Sequence, residues 1–464
     1  MKYMKKFIGD KAFYKMALTV AVPIMVQNGI TNFVSLLDNI MVGRIGTEQM
    51  SGVAIVNQLM FVFNISIFGA VSGAGIFGAQ FWGCGKQEGV RHTFRFKWIA
   101  SVLLVILAGL LFWLAGEQLI TLYLHGDENI TQLEETLYYA KKYLQVMIWG
   151  LLPFGVNQVY TSTMRECGET MIPMKAGIVA VCVNMCLNYV LIFGKLGMPQ
   201  LGVVGAAVAT VISRYVEVTI VIVWAHTHKE KQPYIEGVYK NFHIPGTLVG
   251  KILLKGAPLM FNEIMWSLGM ATLMQCYSLR GLDAVAGMNI SSTISNVFNV
   301  VYIAMGSAVA IIVGQLLGAG KMEEAKDTDT KLIAFSVASC LVMGGLLVLV
   351  APLFPLMYNT TDAVRQLATS FIRIVAICMP LYAFVHCAYF TLRSGGKTIV
   401  TFLFDSVFVW GISIPLAYVL SRFTTLPVVP LYFMCQSLEA VKCVIGFILI
   451  KKGVWLQNIV REES

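Results

Sequence analysis

Apolar residues run along this chain in long stretches, separated by short breaks rich in charge, glycine or proline. The stretches fall at about 14–40, 52–81, 93–115, 136–160, 172–193, 202–226, 250–278, 287–317, 331–356, 366–391, 399–420 and 428–450. About 20 apolar residues in a helix cross the roughly 30 Å hydrocarbon core of a bilayer. The pattern therefore predicts an all-α integral membrane protein with twelve transmembrane helices. An even number puts both ends on one side, and runs longer than needed imply tilt or extension beyond the bilayer.

The pattern also repeats. A shift of 235 positions superposes Pro23 on Pro258, Gly46 on Gly281, Phe63-Asn64 on Phe298-Asn299, Gln80 on Gln315, Gly83 on Gly318 and Lys86 on Lys321. A shift of 228 then superposes Arg165, Gly168 and Thr170 on Arg393, Gly396 and Thr398, a loop-length difference accounting for the change. Two six-helix halves follow, 1–226 and 250–464, with residues 227–249 as a cytoplasmic linker between lobes. Because six spans separate the copies, both keep one membrane orientation, as in transporters built from parallel repeats that rock about a midplane site.

Composition agrees: 57% of residues are apolar and 13% charged, whereas a soluble domain carries about 25% charge. Lys and Arg near span ends tend to stay cytoplasmic. With the N-terminus inside, the inner segments hold Lys2, Lys5, Lys6, Lys86, Arg91, Arg95, Lys97, Lys229, Lys231, Arg393, Lys451 and Lys452. The outer ones offer only a few such residues, among them Arg44, Lys195 and Arg422. Both termini are thus expected in the cytoplasm of a cell whose inner membrane holds the chain. The formal charge of +9 needs no nucleic-acid partner, since inner loops facing anionic lipid account for it. Of ten cysteines, eight lie inside apolar stretches without metal-ligand spacing and read as small packing residues. The basic start runs into a long apolar segment with no small-residue cleavage site, so the first helix is expected to be retained.

A charge deep in a bilayer costs at least about 2.5–3.5 kcal/mol, so each one calls for a partner or a function. Asp38 lies in the outer part of the first span. Asn184 and Asn188, four residues apart, share one helical face. Together they would supply hard oxygen ligands suited to Na⁺; Asp38 could equally carry a proton, and the asparagines could simply bond neighbouring helices. Glu263 follows Pro258 by about a turn, where proline frees a carbonyl and bends the helix, exposing polar groups toward a cavity; it would attract organic cations or serve as a structural partner for a nearby polar group. His386 could titrate near neutral pH or serve as an interior hydrogen-bonder. Asp405 is expected to pair with Arg393 or Lys397. Arg214 with Glu217, Arg373, and Glu439 with Lys442 are read as mutual or interfacial partners without a transport role. Abundant methionine and aromatic residues are compatible with a site for flat cations, while most of them must face lipid or core.

No phosphate-binding Gly-rich loop ending in Lys-Ser/Thr, no His-Glu-x-x-His and no Gly-x-Ser-x-Gly occurs, which disfavours ATP-driven pumping and common hydrolase chemistry. The strings Asp38-Asn-Ile-Met-Val-Gly-Arg-Ile-Gly46, Gly78-Ala-Gln80-x-x-Gly83-x-Gly85, Arg165-x-x-Gly168-x-Thr170, Asn184-x-x-Leu187-Asn188-Tyr189 and Leu201-Gly-Val-Val-Gly-Ala-Ala-Val-Ala-Thr210, with the later Gln315-x-x-Gly318-x-Gly320, resemble the multidrug and toxic compound extrusion (MATE) transporters of the MOP flippase superfamily. The resemblance spans nearly the whole chain.

It implies a V-shaped pair of six-helix lobes working by alternating access. It implies an ion-coupling site in the first lobe at Asp38, Asn184 and Asn188, with Thr210 as a further candidate; the first three would be the metal ligands if the ion is Na⁺. It implies a substrate or coupling role for Glu263. Some members carry an acidic residue in span 10, where this chain has Tyr382, His386 and Tyr389; a second ion site and the number of ions exchanged stay open. The expected function is efflux of small organic, often cationic, compounds by antiport with Na⁺ or H⁺, as a monomer in lipid, with no cofactor beyond the coupling ion. The alternative, flipping of a lipid-linked precursor, would favour a cationic cavity, whereas the mid-span charges are chiefly acidic.

Overall fold

The computed structural model describes residues 7–123 and 130–461. The predicted inner residues Lys2, Lys5 and Lys6 lie outside the described residues. Twelve helical rods follow one another, with no strand among the described residues. They are α1 (Lys11–Gly43), α2 (Thr47–Gly83), α3 (Gln87–Thr121), α4 (Ile130–Met147, Ile148–Gly150 and Leu151–Glu166 in succession), α5 (Met171–Phe193) and α6 (Val203–Thr227). After the linker come α7 (Gly246–Ser278), α8 (Leu282–Gly318), α9 (Met322–Val350), α10 (Asp362–Ser394), α11 (Thr398–Phe423) and α12 (Val428–Lys451). Ten of the described helices are long and apolar enough to cross a membrane by length and composition. α4 and α7 fall short because they carry polar groups such as Asn157, Arg165, Asn262 and Glu263.

The apolar exterior explains why these helices need lipid. On α3, Leu103, Leu107, Leu110 and Leu114 are all half or more exposed, a stripe that water would not tolerate at this extent. α5 inverts the soluble pattern: Asn184 and Asn188 are buried while Cys182, Met185, Cys186 and Tyr189 face outward. The ten cysteines are free, most of them buried as packing residues; Cys182 and Cys186 instead cover the exposed face.

One span departs from expectation. The apolar run at 331–356 suggests a helix there, but α9 begins at Met322 and ends at Val350. Its first turns are polar, with Lys331 Nζ 2.5 Å from Asp327 Oδ2, so hydropathy did not mark them. Its end is set by Pro352 and Pro355, which cannot continue the i→i−4 ladder; the chain turns instead into a short 3₁₀ segment, Phe354–Met357.

Contacts divide the chain into two compact units. The first holds Val26–Gly78 and Gln87–Ile252. The second holds the described part of Met1–Met25 with Ala79–Lys86 and Leu253–Ser464. In the first unit Val56, Ile67, Ile120, Leu144, Leu151, Ile192 and Ala207 form a core from α2 through α6. The linker belongs to this unit and is firmly anchored: Tyr234 and Val238 are buried, and the Arg91 and Arg95 guanidiniums donate to the carbonyls of Tyr234, Gly237 and Val238.

In the second unit Ala17, Ala21, Ala304, Ala308, Leu317, Leu392 and Trp455 pack together. Here the ends of α2 and α8 touch through repeat-related residues. A methyl on Gly83 would lie 1.9 Å from the Gln315 carbonyl oxygen, and one on Gly318 2.0 Å from that of Gln80, so only glycine fits at either crossing point. The buried Gln80 amide then ties this crossing to the C-terminal segment, donating to the Ser394 carbonyl at 2.9 Å and accepting from Ile459 N–H at 2.9 Å.

Candidate functional site

In the first unit α5 and α6 pack closely because the facing residues are small. A methyl on Gly205 would lie 2.7 Å from the Leu191 backbone, and Ala206, Ala207 and Ala209 continue the smooth face. The turn between the helices starts at Gly194, whose φ of 65° ends α5 in the left-handed conformation. That close packing lets Asn184 Nδ2 reach Thr210 Oγ1 at 3.4 Å, while the Thr210 hydroxyl donates to the Ala206 carbonyl at 3.0 Å.

On the same face of α5, Asn188 Nδ2 donates to Asn184 Oδ1 at 3.1 Å and to Asp38 Oδ1 of α1 at 2.6 Å. The four sequence-predicted residues Asp38, Asn184, Asn188 and Thr210 thus form one hydrogen-bonded string across three helices. Asn188 is 1% exposed and Asn184 5%. Asn188 Oδ1 is a buried acceptor with no donor among the described residues, and no Lys or Arg pairs with Asp38 there. An unfilled oxygen beside an uncompensated carboxylate is what a hard monovalent cation can use, since it brings charge and takes oxygen ligands. Among the described residues no three His, Cys, Asp or Glu side chains converge as a metal cluster.

The second unit holds a different polar group. α11 is π-helical over Leu403–Val407 and Val409–Ser413, and its widened turns direct the adjacent Asp405 and Ser406 toward α7. Asn262 Nδ2 donates to Asp405 Oδ2 at 3.2 Å and to the Tyr389 hydroxyl at 3.4 Å, while Ser406 Oγ donates to Asn262 Oδ1 at 2.7 Å. The partner of Asp405 is a correction: it is Lys442 of α12, Nζ to Oδ1 3.0 Å, rather than Arg393 or Lys397. Helix packing brings α12 alongside α11, whereas Arg393, in the last turn of α10, and Lys397, just before α11, make no ion pair with Asp405. Glu439 lies 3.6 Å from the same ammonium, so the expected Glu439–Lys442 pairing holds, within a larger set.

Glu263, next to Asn262, is half-buried with Arg393 and Asp405 acting on it through space. His386 sits edge-on to Tyr302 and Phe390, with ring centroids 5.3 Å and 5.0 Å away, and its Nε2 is buried without a partner among the described residues. Arg373 is exposed. Arg214 donates to the Gly150 carbonyl and lies over the Phe154 ring, while Glu217 bonds Asn157 and faces both Arg165 and Arg214.

Two buried groups escaped sequence reasoning. Lys97, counted among cytoplasmic cations, is fully buried and lies 2.6 Å from Glu166, with Thr163 Oγ1 accepting at 3.1 Å. In the second half Thr391, which the shift of 228 relates to Thr163, donates at 2.5 Å to the buried Asp329. The repeat itself was the available signal, because the same threonine holds an ionisable group in both halves.

Comparison with known proteins places this geometry. The family profile described as MatE matches residues 23–190 and again 258–419, two copies whose starts are offset as the internal repeat is. A probable multidrug resistance protein NorM of Thermotoga maritima is 24% identical over 413 residues, covering 88% of this chain and 86% of that protein. A probable multidrug resistance protein YoeA of Bacillus subtilis is 23% identical, covering 88% of this chain and 87% of that protein. Among solved structures, the outward-facing conformation of a multidrug resistance MATE family transporter of the MOP superfamily superposes with a TM-score of 0.86 at 19% identity over 97% of each chain. A MOP superfamily transporter from Pyrococcus furiosus superposes with a TM-score of 0.84 at 20% identity over 98% of each chain. At these identities the structural likeness speaks for the fold alone. With both halves matched over most of its length, the chain belongs to the MatE family of multi-pass, all-helical membrane transporters.

Proposed function

We propose that this chain exports small organic, often cationic, compounds across the cytoplasmic membrane by antiport with Na⁺ or H⁺. Both termini lie in the cytoplasm, and two six-helix lobes, residues 1–226 and 250–464, alternate access as a monomer. The relatives named as probable multidrug resistance proteins support the cargo class. The observation that carries the coupling reading is the string Asp38–Asn188–Asn184–Thr210 spanning α1, α5 and α6.

The coupling ion neutralises Asp38. Na⁺ takes the carboxylate with the amide oxygens of Asn184 and Asn188, the latter after its amide turns; H⁺ binds the carboxylate alone. Either changes how strongly α1 is held to α5. An ion that binds one lobe arrangement more tightly than the other shifts the equilibrium by that difference, and this is all that coupling requires. Glu263 offers a flat organic cation a carboxylate, and the mutually packed Tyr302, Tyr382, His386 and Phe390 offer ring faces.

The test is reconstitution into proteoliposomes with ethidium efflux measured under separately imposed Na⁺ and pH gradients. The gradient that drives efflux in the native chain identifies the ion. Asp38→Asn, expected to fold and insert, loses that response; a well-inserted variant with undiminished ion-driven efflux removes the mechanism.

A further inference from the structure

Both units contain an aspartate that accepts from an asparagine amide inside apolar helices, but only one of the two aspartates has a lysine. We propose that Lys442 is a tethered cation: its ammonium fills the place at Asp405 that a free monovalent ion would otherwise take, so ion exchange runs through Asp38 alone. The one-ion consequence rests on the antiport reading above; the occupancy of Asp405 does not.

The geometry supports permanent occupancy. The Lys442 side chain is 4% exposed, against 19% for Asp405. An ammonium so buried is tolerated only when carboxylates and hydrogen bonds replace its water. Asp405 Oδ1 at 3.0 Å and Glu439 Oε1 at 3.6 Å do so on one side, and the Phe404 and Phe408 rings, each 5.7 Å away, present their faces on another. The remaining Asp405 oxygen is filled by Asn262.

The other charged groups around the pair are Glu439 on the lysine's own helix, Glu263 on α7 and Arg393 on α10. Glu263 and Arg393 offset each other. Lys442 therefore divides between Asp405 and Glu439, with the shorter contact to Asp405.

Tethering decides the competition with free ions. A group held on a short flexible stem is present at an effective concentration on the order of millimolar or above, and it cannot diffuse away. At Asp38 no described cation competes, so an ion there binds and leaves. A lysine also presents three donors in place of an ion's coordination sphere. Removing it leaves a cavity shaped for a small alkylammonium beside an unpaired carboxylate.

The test is Lys442→Ala, with thermal unfolding in detergent followed as ethylammonium or Na⁺ is added. Ethylammonium is expected to raise the unfolding midpoint of Lys442→Ala and leave the native chain and the Asp405→Asn/Lys442→Ala double variant unmoved. A folded Lys442→Ala that responds to neither ion overturns the proposal. Should the single variant fail to fold, the double variant is expected to recover its yield, because the unpaired carboxylate is then gone; an equally poor double variant overturns it. In proteoliposomes, Lys442→Ala is further expected to exchange a second cation per substrate, a ratio the native chain lacks. These binding readouts need no transport, so they fail independently of the Asp38→Asn test.

Discussion

Asp38 and Asp405 sit in similar surroundings and differ in what neutralises them. Each accepts from an asparagine, Asn188 at 2.6 Å and Asn262 at 3.2 Å, and each asparagine is tied to a hydroxyl, Thr210 through Asn184 in one case and Ser406 in the other. Asp405 has an ammonium 3.0 Å away; Asp38 has none among the described residues. The two aspartates are not repeat-related, for the shift of 235 carries Asp38 to Leu273 and the shift of 228 carries Asp405 back to Gly177. Duplication thus supplied the scaffold twice, while the two carboxylates stand at non-equivalent positions of the halves. A buried charge must be compensated, and whether the compensating cation is free or attached decides whether the site can exchange it.

The largest effect that would break this contrast comes from Asp38→Asn, which is expected to reduce ion-driven efflux to the rate seen without a gradient. Next is Lys97→Met, which takes from Glu166 the ammonium 2.6 Å away inside the first unit. Breaking a buried pair from one side costs about 3–5 kcal/mol, so the melting temperature falls sharply, and adding Glu166→Gln is expected to restore most of it. If the double variant melts no higher than the single one, the pair is not what holds that region. Asn188→Ala removes one donor to Asp38 and one acceptor available to an ion. With Na⁺ as the ion, a loss of about 1–3 kcal/mol raises its half-saturating concentration for efflux about 5- to 150-fold, while Asn262→Ala, its counterpart beside Asp405, is expected to leave that concentration unchanged. Equal shifts in both variants would erase the distinction between the halves. Thr210→Val is the mildest, since only a 3.4 Å hydrogen bond to Asn184 is lost; a cost of about 0.5–1.5 kcal/mol raises the same concentration by no more than about tenfold.

Much of the architecture is legible in the chain itself. Apolar runs placed the twelve helices closely because a helix must satisfy its own backbone in lipid. Only α9 was displaced, where polar first turns and Pro352 hide its limits from hydropathy. That Asp38, Asn184, Asn188 and Thr210 come together was foreshadowed by spacing and resemblance: Asn184 and Asn188 lie one turn apart, and few mid-span residues besides Asp38 carry charge. The Lys97–Glu166 pair was not, because a lysine near a basic span end looks like any other cytoplasmic cation until packing surrounds it.

By itself the sequence determined how many helices there are, that they are duplicated, and which residue types stand at mid-membrane, because those depend on hydrophobicity and local periodicity along one strand of chain. Only the tertiary structure decided that Asp405 meets Lys442, that Asn188 bridges Asp38 to Asn184, and that Gly83 and Gly318 cross against Gln315 and Gln80. Such pairings depend on which helix faces come within reach of a hydrogen bond, and distance along the chain carries no record of that.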